Sequence, residues 1–227
     1  MVRKEITRSK ETLGIISDLV ENGVEKICVI IRHSARHFNT NVQQEPFLGL
    51  TENGKEYAME FGKALAQDPR PIFFSSHFGR CIETAYLMDK GHAQKHCSFN
   101  GHNTLAQELT PFYIKDMNRA FAAFEKLGND IFLRAWFDKE LSSKIMQDSE
   151  ETADLVTDFM TKRLHQLEPG QIALCVSHDW NIYPLKEHKL DLPFEKHGRI
   201  EFLEGVVLFQ RGEEHFIMNH QREPRKL

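Results

Sequence analysis

Apolar residues in this chain follow two periodicities that alternate along its length. Near the start, Leu13, Ile16, Leu19 and Val20 recur at helical spacing and the pattern stops at Asn22-Gly23, so residues 1–24 predict a docked N-terminal helix. Ile27-Cys28-Val29-Ile30-Ile31 is continuous and rich in β-branched residues, which predicts a central parallel strand covered on both faces. It breaks abruptly into Arg32-His33-Ser34-Ala35-Arg36-His37. Thr51 then reads as the cap of a helix whose apolar face is Tyr57, Ala58, Phe61, Ala64 and Leu65, ending near Asp68-Pro69. A second strand, Ile72-Phe73-Phe74, ends in Ser75-Ser76-His77-Phe78-Gly79-Arg80 and leads into a helix through Thr84, Ala85 and Leu87.

The middle of the chain is less regular. Gly, His, Lys and Asn between Asp89 and Asn103 predict a loop, and Pro111 to Leu127 and Ile131 to Ile145 predict two helices rich in Phe and Trp. Residues from about 89 to 147 thus form a helical insertion that could serve as a lid, although Phe121, Phe124, Phe132, Trp136 and Phe137 at helical spacing fit core packing better than a recognition surface. Asp148-Ser149-Glu150-Glu151 resembles a capping box for a helix through Leu155, Phe159 and Leu164 that stops at Glu168-Pro169-Gly170. A third buried strand, Ile172 to Val176, delivers Ser177-His178-Asp179. The tail predicts strands around Glu201 to Leu203, Val206 to Gln210 and Phe216 to Met218. Strands alternating with helices argue a single α/β domain over residues 1–227: a three-layer sandwich with a mostly parallel central sheet flanked by helices.

Composition narrows the function. The 227 residues carry a formal charge of −4, which gives no global attraction to phosphate backbones or anionic lipids, so neither nucleic acid nor a membrane is an expected partner. No apolar run approaches the roughly 20 residues of a membrane-spanning helix. The basic N-terminus lacks the apolar stretch of a secretory signal, so the expected location is the cytoplasm. The four cysteines form no CxxC pair and read as packed free thiols. Oligomeric state is not readable from the pattern.

The chemistry collects at the ends of the three buried strands, because in open parallel sheets ligands bind beyond the carboxyl ends of the strands. Pooled, those ends supply His33, His37, His77 and His178, Arg32, Arg36 and Arg80, Ser75, Ser76 and Ser177, and Asp179. Three arginines repel a divalent metal but match an oxyanion, so a phosphate is favoured over a metal site and no cofactor is implied. Imidazole as nucleophile, guanidinium groups around equatorial oxygens and one carboxyl for the leaving oxygen are the parts of a phosphoryl-transfer site. There is no GxxxxGK[ST] loop of the NTP-hydrolysing type.

Taken in order, Arg32-His33, Leu50-Thr51 with Gly54, Ser75-Ser76 with Arg80 and Thr84-Ala85, and Ser177-His178-Asp179 resemble the successive motifs of the histidine phosphatase superfamily, which includes phosphoglycerate mutases and histidine acid phosphatases. The resemblance spans roughly residues 25 to 210. It implies that His33 becomes phosphorylated while Arg32, Arg80 and His178 complete the pocket around the transferred group. Arg36 falls where the acid-phosphatase branch has another phosphate-binding arginine, and Asn39 where the mutase-like branch often has an asparagine. Two carboxyls compete as proton donor. Asp179 matches the acid-phosphatase arrangement and Glu108 the mutase-like one; Asp179 is favoured, since like charge from a phosphate helps a neighbouring carboxyl hold a proton. Ser34 departs from the glycine usual after the nucleophile, and its side chain either narrows the pocket or lends it a hydroxyl.

The expected activity is hydrolysis of a small phosphorylated substrate through a phosphohistidine, with inorganic phosphate or another oxyanion also binding. The competing readings are a mutase that returns the phosphoryl group to a second hydroxyl, a non-catalytic phospholigand-binding module suggested by Ser34, and a metal hydrolase.

Overall fold

The computed structural model describes residues 7–38, 42–97 and 100–227. A seven-stranded sheet in the order β3-β2-β4-β1-β5-β6-β7 forms the middle layer. The four strands β1 (Ile27–Arg32), β2 (Arg70–Ser75), β3 (Asn103–Leu105) and β4 (Gln171–Ser177) run parallel, and β5 (Gly205–Arg211), β6 (Glu214–Asn219) and β7 (Arg222–Lys226) extend the sheet antiparallel from β1. The sheet is therefore parallel through its centre and antiparallel on one flank.

Alternation along β1 explains the three layers. Ile27, Val29 and Ile31 face one core with Ile16 and Leu19 of α1 (Thr7–Glu21), Phe61 of α2 (Glu52–Ala64) and Met88 of α3 (Gly79–His96). Cys28 and Ile30 face the other core with Leu133 of α5 (Asn129–Phe137) and Val156 and Met160 of α6 (Ser149–His165). Ile27, Val29, Ile30 and Ile31 are fully buried, each contributing about 1.5–3 kcal/mol of apolar transfer. A strand with both faces covered needs no polar alternation, which is why it reads as a continuous apolar run.

Local signals placed several helix ends. Thr51 accepts from Gly54 N at 3.1 Å at the start of α2, and Asp148 accepts from Glu150 N and Glu151 N at the start of α6. Other expectations fail. Residues 89–96 are not a loop, since α3 continues to His96. Gly91, a loop signal in the sequence, is a helix-helix contact: a Cβ there would lie 2.1 Å from the carbonyl oxygen of Met59. The predicted Pro111 helix begins only at α4 (Met117–Leu127), where Asp116 accepts from Arg119 N, and the Ile131 helix ends at Phe137 rather than Ile145. Glu201 to Leu203 is a turn, with Leu203 at φ 61°, and β3 and β7 were not foreseen. Phe132, Trp136 and Phe137 are buried in the core, as their spacing suggests.

Candidate active site

Strand register brings the polar ends together. Arg32 pairs with Ser177 across β1 and β4, and Ser75 pairs with Val176 across β2 and β4. The ladder continues one step beyond the strands: His33 N donates to Ser177 O at 2.9 Å and Ser76 N donates to Val176 O at 3.0 Å. Three chain segments far apart in sequence therefore reach the same rim at the same height.

His33 sits at the floor of this rim, 2% exposed. Its Nδ1 lies 2.8 Å from the carbonyl oxygen of Ser34, which can only accept, so Nδ1 carries the proton and the lone pair is on Nε2. Arg80 Nε donates to that Nε2 at 3.1 Å. Arg80 also reaches His178, whose Nδ1 is 3.3 Å from its terminal nitrogen; His178 Nε2 then donates to Ser76 Oγ at 2.9 Å. The two imidazoles stand with ring centroids 5.6 Å apart, and Phe78 packs on His178 at 4.8 Å and under the Arg80 guanidinium at 4.8 Å. Burial first, then the charges of Arg80 and Arg32, hold both histidines well below the ordinary value of 6.5. Both are neutral near pH 7, the form in which an imidazole can attack phosphorus.

Arg32 forms the other wall. Its terminal nitrogens donate to Ile200 O at 2.6 Å and pair with Asp179 Oδ2 at 3.1 Å, and its guanidinium lies 4.4 Å from the centroid of Phe202. Its Nε is buried with no hydrogen-bond partner among the described residues, a donor suited to an oxyanion. Asp179 opens α7 (Asp179–Pro184), is about a third exposed with its side chain at 30%, and accepts from Trp180 N. Arg36 is half-buried beside these groups, donating to His37 O at 3.0 Å with its guanidinium 4.5 Å from the Phe38 ring centroid; its charge adds to those lowering His178.

The remaining candidates divide. Glu108 lies in the turn Gln107–Leu109 with an exposed side chain; that turn is tied to the rim, since Ser177 Oγ donates to Leu109 O at 2.8 Å and Asn181 Nδ2 donates to Glu108 O at 3.1 Å. Asn39 lies outside the described residues. His37 and His77 are exposed. Ser34 neither narrows the pocket nor lends it a hydroxyl: its Oγ donates to Gly54 O at 2.7 Å, while its N–H donates to Thr84 Oγ1 at 3.1 Å. Gly54 and Thr84 thus hold the loop that carries His33. A Cβ on Gly54 would stand 1.9 Å from Ala35 O, so α2 can approach this loop only with glycine there. Sequence reasoning missed Phe202 and the Ile200 carbonyl as supports of Arg32. The first lay in a run read as a strand, and a backbone carbonyl leaves no residue signature.

A sequence profile of the histidine phosphatase superfamily (branch 1) matches residues 28–214. A comparison with curated protein sequences gives no match. Among solved structures the fold is similar to a phosphoglycerate mutase from Bacillus anthracis, at 19% identity and a TM-score of 0.56 over 86% of this chain and 93% of that one. It is also similar to a phosphoserine phosphatase from Entamoeba histolytica, solved as a variant with phosphoserine, at 16% identity and a TM-score of 0.52 over 85% and 95% of the two chains. A mycobacterial glucosyl-3-phosphoglycerate phosphatase aligns at 15% identity and a TM-score of 0.55 over 88% and 96%. These likenesses carry the fold, and the profile spanning most of the chain carries the family: the chain belongs to the histidine phosphatase superfamily.

Proposed function

We propose that this chain hydrolyses phosphomonoesters without a metal, through a covalent phosphohistidine on His33. The observation that carries the reading is the polarity of the His33 ring: Nδ1 is committed to Ser34 O, and the Nε2 lone pair meets a guanidinium in a pocket with a second guanidinium and a neutral His178. A phosphoryl oxygen is a stronger acceptor for Arg80 than imidazole is, so an arriving substrate would take over that donor and leave Nε2 facing phosphorus. Nε2 then forms the P–N bond as the P–O bond to the leaving group breaks, with Arg32, Arg80, Arg36 and His178 around the equatorial oxygens. The leaving oxygen takes a proton from Asp179. Water next attacks phosphorus and returns a proton to Asp179, the P–N bond breaks, and inorganic phosphate leaves with His33 again neutral. Phosphate oxygens would compete with Asp179 for Arg32, and the released carboxylate would take up a proton from solvent or from a phosphomonoester bound as its monoanion, which is the proton it then gives to the leaving oxygen. Phe124 and Phe132 pack on Trp180, next to Asp179, so the α4–α5 pair would wall the leaving-group side and set substrate choice.

Glu108 is the alternative donor, favoured by the anchoring of its turn to Ser177 and Asn181. A panel of phosphomonoesters assayed with and without chelator, with His33→Ala as the blank, tests the reading. Turnover should be chelator-resistant and lost in His33→Ala, and rapid quench into alkaline denaturant, in which a phosphoramidate survives, should trap phosphate on the wild-type chain; equal activity of His33→Ala refutes the mechanism. Asp179→Asn should slow alkyl phosphates much more than p-nitrophenyl phosphate, whose leaving group needs no proton. If Glu108→Gln shows that pattern instead, the donor is Glu108. Isomer formation without release of phosphate from a sugar-acid phosphate would mark a mutase.

A further inference from the structure

Arg32 owes its orientation to a turn that the N-terminal helix holds from behind. Residues 199–204 give Arg32 its Ile200 carbonyl and its Phe202 platform, and close on its backbone: Arg32 N donates to Glu204 O at 3.0 Å and Leu203 N donates to Arg32 O at 3.1 Å. Arg8 of α1 grips this turn at several points. Its guanidinium donates to His197 O at 3.2 Å and Arg199 O at 2.9 Å, both just before Ile200, whose carbonyl accepts from Arg32, and to Glu204 Oε2 at 3.0 Å. Glu204 is fully buried and closes the turn by accepting from Glu201 N at 2.8 Å, while Lys186 Nζ donates to its other oxygen at 2.9 Å. Ordinary caps do not require this; a turn with Leu203 in the left-handed region needs external partners to stay fixed. Arg8 lies before the segment that the superfamily profile matches, residues 28–214, so α1 adds a support the profile does not contain.

We propose that Arg8 is a positioning residue for the phosphate pocket: through the 197–204 turn it sets where the Arg32 guanidinium points, without touching substrate. The inference rests on the phosphate-binding reading of Arg32. It makes α1 part of the functional unit rather than a docked extension.

The test is a double-mutant cycle on the full chain, read as the Kd of inorganic phosphate by calorimetry and as kcat/KM for p-nitrophenyl phosphate, each corrected for the folded fraction by thermal melting. Arg8→Ala should weaken phosphate binding about tenfold, which is about 1.4 kcal/mol. In an Arg32→Ala background the same change should cost less than about twofold, because the group it positions is gone. Arg8→Lys, which keeps a donor but not the fork, should fall between wild type and Arg8→Ala. Equal losses in both backgrounds, or a lower melting temperature with phosphate affinity unchanged, would overturn the positioning role while leaving the site reading intact. A wild-type chain that binds no phosphate would overturn the site reading, and this inference with it.

Discussion

Replacing Arg80 with alanine should lower turnover and move its pH dependence together, because in the proposed mechanism one guanidinium serves both the transferred group and the nucleophile. Arg80 donates to His33 Nε2 at 3.1 Å and lies 3.3 Å from His178 Nδ1, so it stands where a phosphoryl oxygen would contact both. At about 4 Å and an effective dielectric near 20, a guanidinium attracts one unit of negative charge by about 4 kcal/mol. Losing one such preorganised donor costs roughly 10²–10³ in kcat, in line with that figure. The second effect has a definite sign. After burial, Arg80 is the largest influence holding His33 below 6.5. The protonated ring cannot attack, so the acid limb that His33 sets in wild type lies below pH 6.5, and Arg80→Ala should move it upward. Initial rates on p-nitrophenyl phosphate from about pH 4.5 to about pH 8 measure both, since substrate ionisation is common to the two proteins. Arg80→Lys keeps the charge and loses the fork, so its limb should stay near wild type while kcat still falls. A kcat/KM for Arg80→Ala within about threefold of wild type, or an unmoved acid limb, would refute the reasoning.

Three further outcomes concern stability. Gly54→Ala drives a Cβ into Ala35 O and should destabilise by at least about 1–3 kcal/mol in a urea melt, with activity falling because the same loop carries His33; an unchanged midpoint would mean that α2 can move away cheaply. Glu204→Gln leaves the buried Lys186 ammonium without its carboxylate and should cost about 3–5 kcal/mol. Burial is the largest single influence and pushes Glu204 up, but the Lys186 charge, the hydrogen bonds from Glu201 N and Lys186 and the Arg8 charge together outweigh it and keep Glu204 below the usual range, so the carboxylate is the form being removed. His33 and His178 are held well below 6.5 in the folded chain. The unfolded chain therefore takes up protons first, and stability falls as pH drops below 6.5. The two groups together should remove about 2–3 kcal/mol between pH 7 and pH 5.5, measurable as a shift in urea midpoint that is shallower in His33→Asn; an equal fall in that variant would assign the loss elsewhere.

Much of this site was legible in the chain because its parts are attached to the strongest local signals. Continuous β-branched runs mark the strands of a sheet covered on both faces, and polar residues that follow such a run must leave the sheet at its rim. Arg32-His33, Ser75-Ser76 and Ser177-His178-Asp179 were found in that way, and the capping residues Thr51 and Asp148 placed the starts of α2 and α6. Where local chemistry was ambiguous the reading failed. Gly91 punctuates a sequence but fills a helix contact, and Phe202, one residue before a left-handed Leu203, has the composition of a strand. Ser34 could not be aimed from sequence at all, because the acceptor of its hydroxyl is Gly54, twenty residues away on another element.

The amino-acid order by itself determined which residues would be buried, which would emerge at strand ends, and that those ends would be cationic, since periodicity and charge act over a few residues. Only the tertiary structure decided how the three ends align, which nitrogen of His33 keeps its proton, and that a helix outside the family's matched segment holds the turn beneath Arg32. These are matters of register and of contacts between distant segments, including Arg8 with Arg199, and such contacts depend on packing that no local pattern encodes.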